Sequence, residues 1–368
     1  MIDKIKSDPV LIISGILAAV SCFIVPPDTQ YIDYINFRVL AILGALMLVV
    51  GALSDIGTFD YLTSRMLSKV GNRRSASLLL VILSFVLSMF MTNDVTLVTL
   101  VPFAVMAIGA FGDDKNLMFT LIFMTCAANL GSMLTPVGNP QNLYLYSHYE
   151  MNAGHFFLLM LPYTLASAVM VIMGVFFTVR KSSGAVKAGN KAKPPVVSTI
   201  VCIFMFITAL LTVLGVLHYL IMLATVCVVI FVLDRRAFAK VDYSLLITFV
   251  FFFVLIGNIG RIGPVYDALS SLVDKHTVIT AILSSQVISN VPAAMLLSAF
   301  TSNGDGLLIG TNLGGLGTLI ASMASLITYK IYIKGHKKGS ASYIASFTVV
   351  NVVMLGMLVA GYYVSELF

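Results

Sequence analysis

The 368-residue chain is 59% hydrophobic and 10% charged, with a mean hydropathy of +1.00 and a formal net charge of +6. Such a composition excludes a soluble globular protein, and no polar stretch is long enough to fold as an appended soluble domain. Cys22, Cys126, Cys202 and Cys227 all fall in apolar segments, so neither a disulfide framework nor a cysteine metal site is expected.

In chain order, apolar spans are predicted at 9–25 and 36–53, followed by an amphipathic stretch at 58–72 carrying Asp60, Arg65 and Lys69. Residues 75–111 are apolar on both sides of a polar knot, Thr92-Asn93-Asp94. Each arm is roughly 25 Å long as a helix, a little short of a bilayer's hydrocarbon core. A carboxylate at that position is costly in lipid and must face protein, water or an ion. Residues 116–146 read as a helix broken at Asn129-Leu130-Gly131 and again from Thr135 to Asn142. A span at 155–179 leads into a basic linker at 180–195. Spans at 196–217, 218–233 and 243–259 precede an amphipathic connector at 260–275. The hairpin design then returns at 276–302, with Ser289-Asn290-Val291-Pro292 at its tip and arms too short to cross. A second broken helix at 307–333 and a span at 343–364 close the chain. The expectation is an all-α polytopic membrane protein with nine crossings and two re-entrant hairpins, whose tips meet near mid-membrane.

Charge placement orients this arrangement. With the N-terminus inside, 19 of the 22 Lys and Arg fall on cytoplasmic segments, and only Arg38, Arg261 and Lys275 fall outside. The net charge thus reflects topology, and no nucleic-acid partner is expected. The C-terminus is expected outside a bacterial-type cytoplasmic membrane.

The chain also repeats itself. Residues 87–94 align with 284–291, placing Asn93 on Asn290, and 129–135 align with 312–318. Matching 9–25 to 218–233 puts five crossings between the starts of the two copies, and an odd number inverts them. The expected organisation is a first repeat at 1–180, a linker and extra span at 181–217, and an inverted second repeat at 218–368. Inverted repeats with broken helices characterise secondary transporters.

The backbone chemistry explains why these residues suit transport. Gly, Pro and Asn interrupt a helix, freeing carbonyls on one side of the break and N–H groups on the other. Carbonyls with Asn, Ser and Thr oxygens suit a hard cation, and helix N-termini suit an anion. Candidate substrate- and ion-binding residues are therefore Thr92, Asn93, Asp94, Asn129, Gly131, Thr135, Gly138, Asn139, Asn142, Ser289, Asn290, Asn312, Gly314, Thr318 and Ser322. Asn93, Asp94 and Asn290 are the candidate Na+ ligands. The plainer readings are that Asp94 caps the helix after it, that Asn93 and Asn290 only form turns, and that the Thr and Ser residues pack helices together. No catalytic residue, enzymatic motif or bound cofactor is expected.

The tips Thr92-Asn93-Asp94 and Ser289-Asn290-Val291, with the runs at 128–142 and 311–325, resemble the ion transporter superfamily. That group includes divalent-anion/sodium symporters, citrate permeases, arsenite permeases and some sodium/proton antiporters. The resemblance implies a homodimer with an elevator-type alternating-access mechanism, moving a small anion such as a di- or tricarboxylate with Na+ or H+. Where the symporters have Thr at both tips, this chain has Asp94 and Val291. The departure puts the second sodium site in doubt and moves Asp94 toward the arsenite-permease pattern. The alternatives are an arsenite or oxyanion efflux permease, a Na+/H+ antiporter, or, from another class, an ion channel, which needs a continuous polar pore.

Overall fold

A computed structural model describes residues 9–109, 114–181, 191–336 and 339–365; side chains of 264–266, 268, 269 and 365 are not described. The last two residues of the first hairpin, most of the basic linker and the C-terminal three residues thus lie outside the described residues. Among the described residues the chain is helical, without strands.

The helices are α1 (Pro9–Ile24), α2 (Gln30–Tyr34), α3 (Phe37–Asp55), α4 (Thr58–Leu67), α5 (Arg73–Leu87), α6 (Asn93–Gly109), α7 (Asp114–Gly131), α8 (Pro140–His148), α9 (Ala153–Thr178) and α10 (Val196–Val213). There follow α11 (Tyr219–Leu233), α12 (Tyr243–Gly260), α13 (Gly263–Lys275), α14 (Thr277–Ile288), α15 (Asn290–Ser298), α16 (Gly304–Leu313), α17 (Met323–Gly335) and α18 (Ser340–Ser365). Among the described residues, six segments are long and apolar enough to cross a membrane: α3, α7 extended to Leu134, α9, α10, α12 and α18 to Val364. Of the other three expected crossings, α1 and α11 are apolar but short, at 16 and 15 residues. The third is split between α16 and α17.

Sequence and structure agree on where the hairpins break and differ on how. In the first, the chain leaves α5 at Leu87 and re-enters α6 at Asn93, an open five-residue turn. In the second, a four-residue knot was expected, yet only Ser289 separates α14 from α15. It makes the turn alone at φ 73°, ψ 155°, a strained backbone for a non-glycine residue. Its neighbour holds it there: Asn290 N donates to Ala321 O at 3.0 Å.

Packing follows the same pattern in the two halves of the chain. α1 lies along α12, and α3 lies along α11. Exchanging each helix for its repeat mate converts the first pair into the second. The hairpin α5–α6 embraces α7 as α14–α15 embraces α16. Across the copies, α6 packs on α17 and α15 packs on α8, so each hairpin closes against the other copy's broken helix. The axial helix α7 is 89% buried in its span window, whereas α9 and α18 are 28% and 22% buried. Those two turn apolar faces outward, as lipid-facing helices do.

Glycines make the embrace possible. A Cβ on Gly131 would stand 2.1 Å from Phe85 O and 2.7 Å from Ser88 Oγ; on its repeat mate Gly314 it would stand 2.7 Å from Ser285 Oγ. Both broken helices therefore touch their own hairpin closely, the first against the Phe85 backbone and the second against the Ser285 side chain. A Cβ on Gly138 would stand 2.2 Å from Ser132 O of its own broken helix and 2.8 Å from Ser88 O at the hairpin turn.

Candidate functional site

One cavity sits where the four interrupted elements meet. It is lined by Asn93 and Asp94 of the first tip, Ser289 and Asn290 of the second, Asn139 before α8, and Ser322 before α17. These six candidates are brought together on one surface, with Val291, Pro292, Pro140 and Met323 beside them. The cavity holds about 620 Å³ of empty space, part of it open to the surface. Val10, Asp242, Leu245 and Thr248 complete the lining, with the exposed Asp242 at its mouth, toward the ends where α1 and α12 begin. This end is termed the near face.

Asn129 ties the floor together. Its Oδ1 accepts from Asn93 Nδ2 at 2.7 Å and Ser322 Oγ at 2.9 Å, and its Nδ2 donates to Gly315 O at 3.2 Å. One buried carboxamide thus joins the first tip, the first broken helix and the second broken helix. The repeat mates bond differently: Asn312 Nδ2 donates to Asn142 Oδ1 at 2.7 Å, and Asn142 Nδ2 donates to Ser132 O at 3.1 Å. Thr135 and Thr318 are not among the residues that line the cavity. Thr135 Oγ1 donates to Met89 O, and its mate Thr318 Oγ1 donates to Gln286 O at 3.2 Å. Both threonines pin a broken helix to a hairpin. Thr92 lines a separate apolar cavity with Leu43, Leu46 and Met91.

The electrostatics of the central cavity come from helix ends. α6, α8, α15 and α17 all begin on it. Elsewhere the fold caps its helices conventionally: Asn36, Asn72, Asn152 and Asn303 each accept from a backbone N–H of the first turn they precede. At the cavity, Asn139, Ser289 and Ser322 occupy the same cap position, and none of them accepts such a bond. Their side chains are spent on other elements: Asn139 Nδ2 on Ser132 Oγ, Ser322 Oγ on Asn129, Ser289 Oγ on Ala321 O. At α8 and α17 the first-turn N–H groups therefore lack a side-chain cap. In α15, by contrast, those of Asn290, Val291 and Ala293 are taken and Pro292 has none. The positive ends of four helix dipoles nevertheless converge on the cavity.

Two carboxylates oppose that field. Asp94 does not cap α6 through Oδ1, which is buried without a hydrogen-bond partner; Asn93 Oδ1 takes the Asp94 N–H at 3.0 Å instead. At the matching place in the second tip, Val291 N donates to Asn290 Oδ1 at 3.0 Å. Asp242, exposed at the mouth, is the functional candidate that sequence reasoning missed. It stood unremarked between the basic residues at 235–240 and a span. The signal was available in the repeat: Asn36 caps α3 through Val39 N and Asp242 caps α12 through Leu245 N, at equivalent positions of the two copies. Among the described residues no Lys, Arg or His lines this cavity. An anion there must rely on helix N-termini and carboxamides, and a cation can reach Asp94 and Asp242.

Comparison with known proteins followed the same lines. A family model described as "Citrate transporter" matches residues 1–307. An uncharacterized transporter of Methanocaldococcus jannaschii is 33% identical over 319 residues, covering 86% of each chain. An inner membrane protein of Escherichia coli K12 is 29% identical over 303 residues, 81% of this chain and 80% of that one. A silicon efflux transporter of Oryza sativa is 29% identical over 154 residues, 41% of this chain and 31% of its own.

Proposed function

The chain belongs to the citrate transporter family, and from that premise we propose that it is a secondary active transporter for a small carboxylate or related oxyanion, coupled to Na+ or H+. The observation that carries this reading is the set of helix N-termini converging on a cavity that, among the described residues, has no basic side chain. A helix N-terminus is worth about 0.3–1 kcal/mol to an anion in exposed settings and up to about 2 kcal/mol when partly buried. Four acting together supply several kcal/mol, which suits micromolar to millimolar binding and permits release.

Coupling follows from Asp94 and Asp242. An anion entering beside two carboxylates meets repulsion until a cation or proton neutralises at least one of them. Cation first and anion second is therefore the favoured order, with Asp94, Asn93 and Asn290 as the cation-holding set. The cavity lies toward the near face, so transport requires it to be presented to the opposite face. The hairpins and broken helices α5–α8 and α14–α17 act as the carrier body, sliding against α1, α3, α11 and α12 in an elevator-type exchange. A homodimer joined through the latter helices provides the fixed frame, with the positive-inside orientation described above.

The test is reconstitution in liposomes with Na+ and proton gradients set independently. Citrate, other di- and tricarboxylates, arsenite and silicate are screened. Concentrative uptake of a carboxylate that stops when the cation gradient is collapsed is the expected result. A second reading is favoured by the acidic lining itself: two carboxylates and no base also suit a Na+/H+ antiporter. Cation-for-proton exchange that proceeds without any anion would replace the first reading with this one.

A further inference from the structure

A second cavity opens at the opposite end of the molecule, the far face, and α8 connects it to the first. Pro140, at the start of α8, lines the central cavity; Tyr144 and His148, further along the same helix, line the second. From Pro140 to His148 the helix rises roughly 12 Å. Asp33, Tyr34, Arg38 and Tyr219 complete the walls used here.

An aromatic barrier separates the two spaces. On α12, Thr248 faces the central cavity and Phe253 the second. Between them Phe249 is fully buried. Its ring lies 6.3 Å from that of Tyr144, edge-on, and 6.1 Å from that of Phe253, while Tyr144 and Phe253 are 5.9 Å apart. Three mutually packed rings thus close the passage along α8.

Arg38 supplies the charge that the central cavity lacks. Its Nη2 donates to Thr212 O at 3.1 Å and Val213 O at 3.3 Å, carbonyls at the end of α10. These partners are uncharged, and among the described residues no carboxylate is in ion-pair contact with the guanidinium. The group is held in position while its charge stays unneutralised, with Nε and Nη1 donors in a planar fork that matches carboxylate or oxyanion geometry. Asp33, exposed in the same mouth, acts against it.

We propose that this cavity is a receiving site for the transported anion at the far face, with Arg38 recognising its charge and the Tyr144, Phe249 and Phe253 rings holding it back from the central cavity. The proposal rests on the anion reading above. A small carboxylate docks on Arg38, with hydroxyl donors from Tyr34 and Tyr219 within the same walls, and moves about one short helix length once the rings part.

The test uses the full chain with its four cysteines replaced by alanine and Phe37→Cys as reporter, a half-exposed side chain in this mouth. Rates of modification by an anionic and a cationic methanethiosulfonate are compared from the far face. Arg38→Gln should lower the anionic-to-cationic rate ratio at least about threefold. Arg38→Lys should keep it near the parent value, which separates loss of charge from loss of the α10 contact, and Asp33→Asn should raise it. In parallel, Arg38→Gln should raise the KM for radiolabelled citrate, or whichever carboxylate the screen identifies, from the far face only. An unchanged rate ratio, or a KM that moves equally from both faces, overturns the proposal. If the parent protein carries no anion while the ratio still follows Arg38, the anion-attracting mouth stands and the reading of the central cavity falls.

Discussion

Asp94→Asn is the substitution that most directly probes coupling. The change is isosteric, and it breaks no hydrogen bond at Oδ1 because that atom has none. What it removes is one negative charge at the start of α6. For a monovalent cation about 4 Å away, an effective dielectric constant near 20 gives an attraction of about 4 kcal/mol. At about 1.4 kcal/mol per factor of ten, its loss weakens cation affinity by up to roughly a thousandfold. The same arithmetic has the opposite sign for an anion. A substrate carboxylate about 6 Å from Asp94 is repelled by about 3 kcal/mol, so the variant should bind anion more tightly when no cation is present. The assay is initial uptake of a labelled carboxylate against Na+ concentration and pH, alongside counterflow exchange at fixed gradients. Uptake in Asp94→Asn should lose its dependence on the driving cation, and substrate-for-substrate exchange should survive. Dependence on Na+ or pH as in the parent protein would refute the reasoning and leave the cation to backbone carbonyls alone.

Other predictions follow from the same geometry. Asn129→Ala leaves Ser322 Oγ, Gly315 O and one Asn93 bond without their partner; at about 1–3 kcal/mol for each unsatisfied buried group it should lower the thermal transition of the purified protein by several degrees and raise the substrate KM. Gly131→Ala places a methyl 2.1 Å from Phe85 O, a backbone atom that cannot turn aside, and should abolish stable expression, whereas Gly356→Ala, with nothing within 4 Å, should be silent. For orientation, Ala192→Cys and Gln30→Cys in a cysteine-free background should react with an impermeant reagent from opposite sides, with only Gln30→Cys labelled in intact cells. Labelling of Ala192→Cys alone would reverse the topology.

Much of this architecture was legible in the amino-acid sequence because it is written in local chemistry. Apolar runs of the right length, interrupted by Asn, Gly and Pro, leave few options in lipid, where every backbone group needs a partner. That is why the breaks near Asn93, Asn129, Asn290 and Asn312 were found at their observed places, and why the repeat could be aligned. Apolar length alone could not settle how each hairpin turns. The first opens over five residues and the second pivots on Ser289, because Ala321 O, 31 residues beyond Asn290 in sequence, accepts the Asn290 N–H and stabilises a backbone that Ser would otherwise avoid.

The division of labour within the site was decided by tertiary structure alone. Asn129 and Asn312 occupy equivalent positions in the two copies, yet the first bonds the opposite repeat's Ser322 and the second bonds Asn142. The partners come from different segments, and spacing along the chain carries no record of them. Gly131 and Gly314, candidates for ligand contact by sequence, stand where helices touch, since close approach and ligand access both select glycine. Asp242 was not singled out at all, and Arg38 was read only as a charge on the outside. Packing of α12 and α3 against the interrupted helices carries one to the mouth of the central cavity and the other to the far one. The sequence determined that polar breaks would meet inside a helical membrane bundle; the fold determined which charges would stand at the two doors, because that depends on how helices distant in sequence cross.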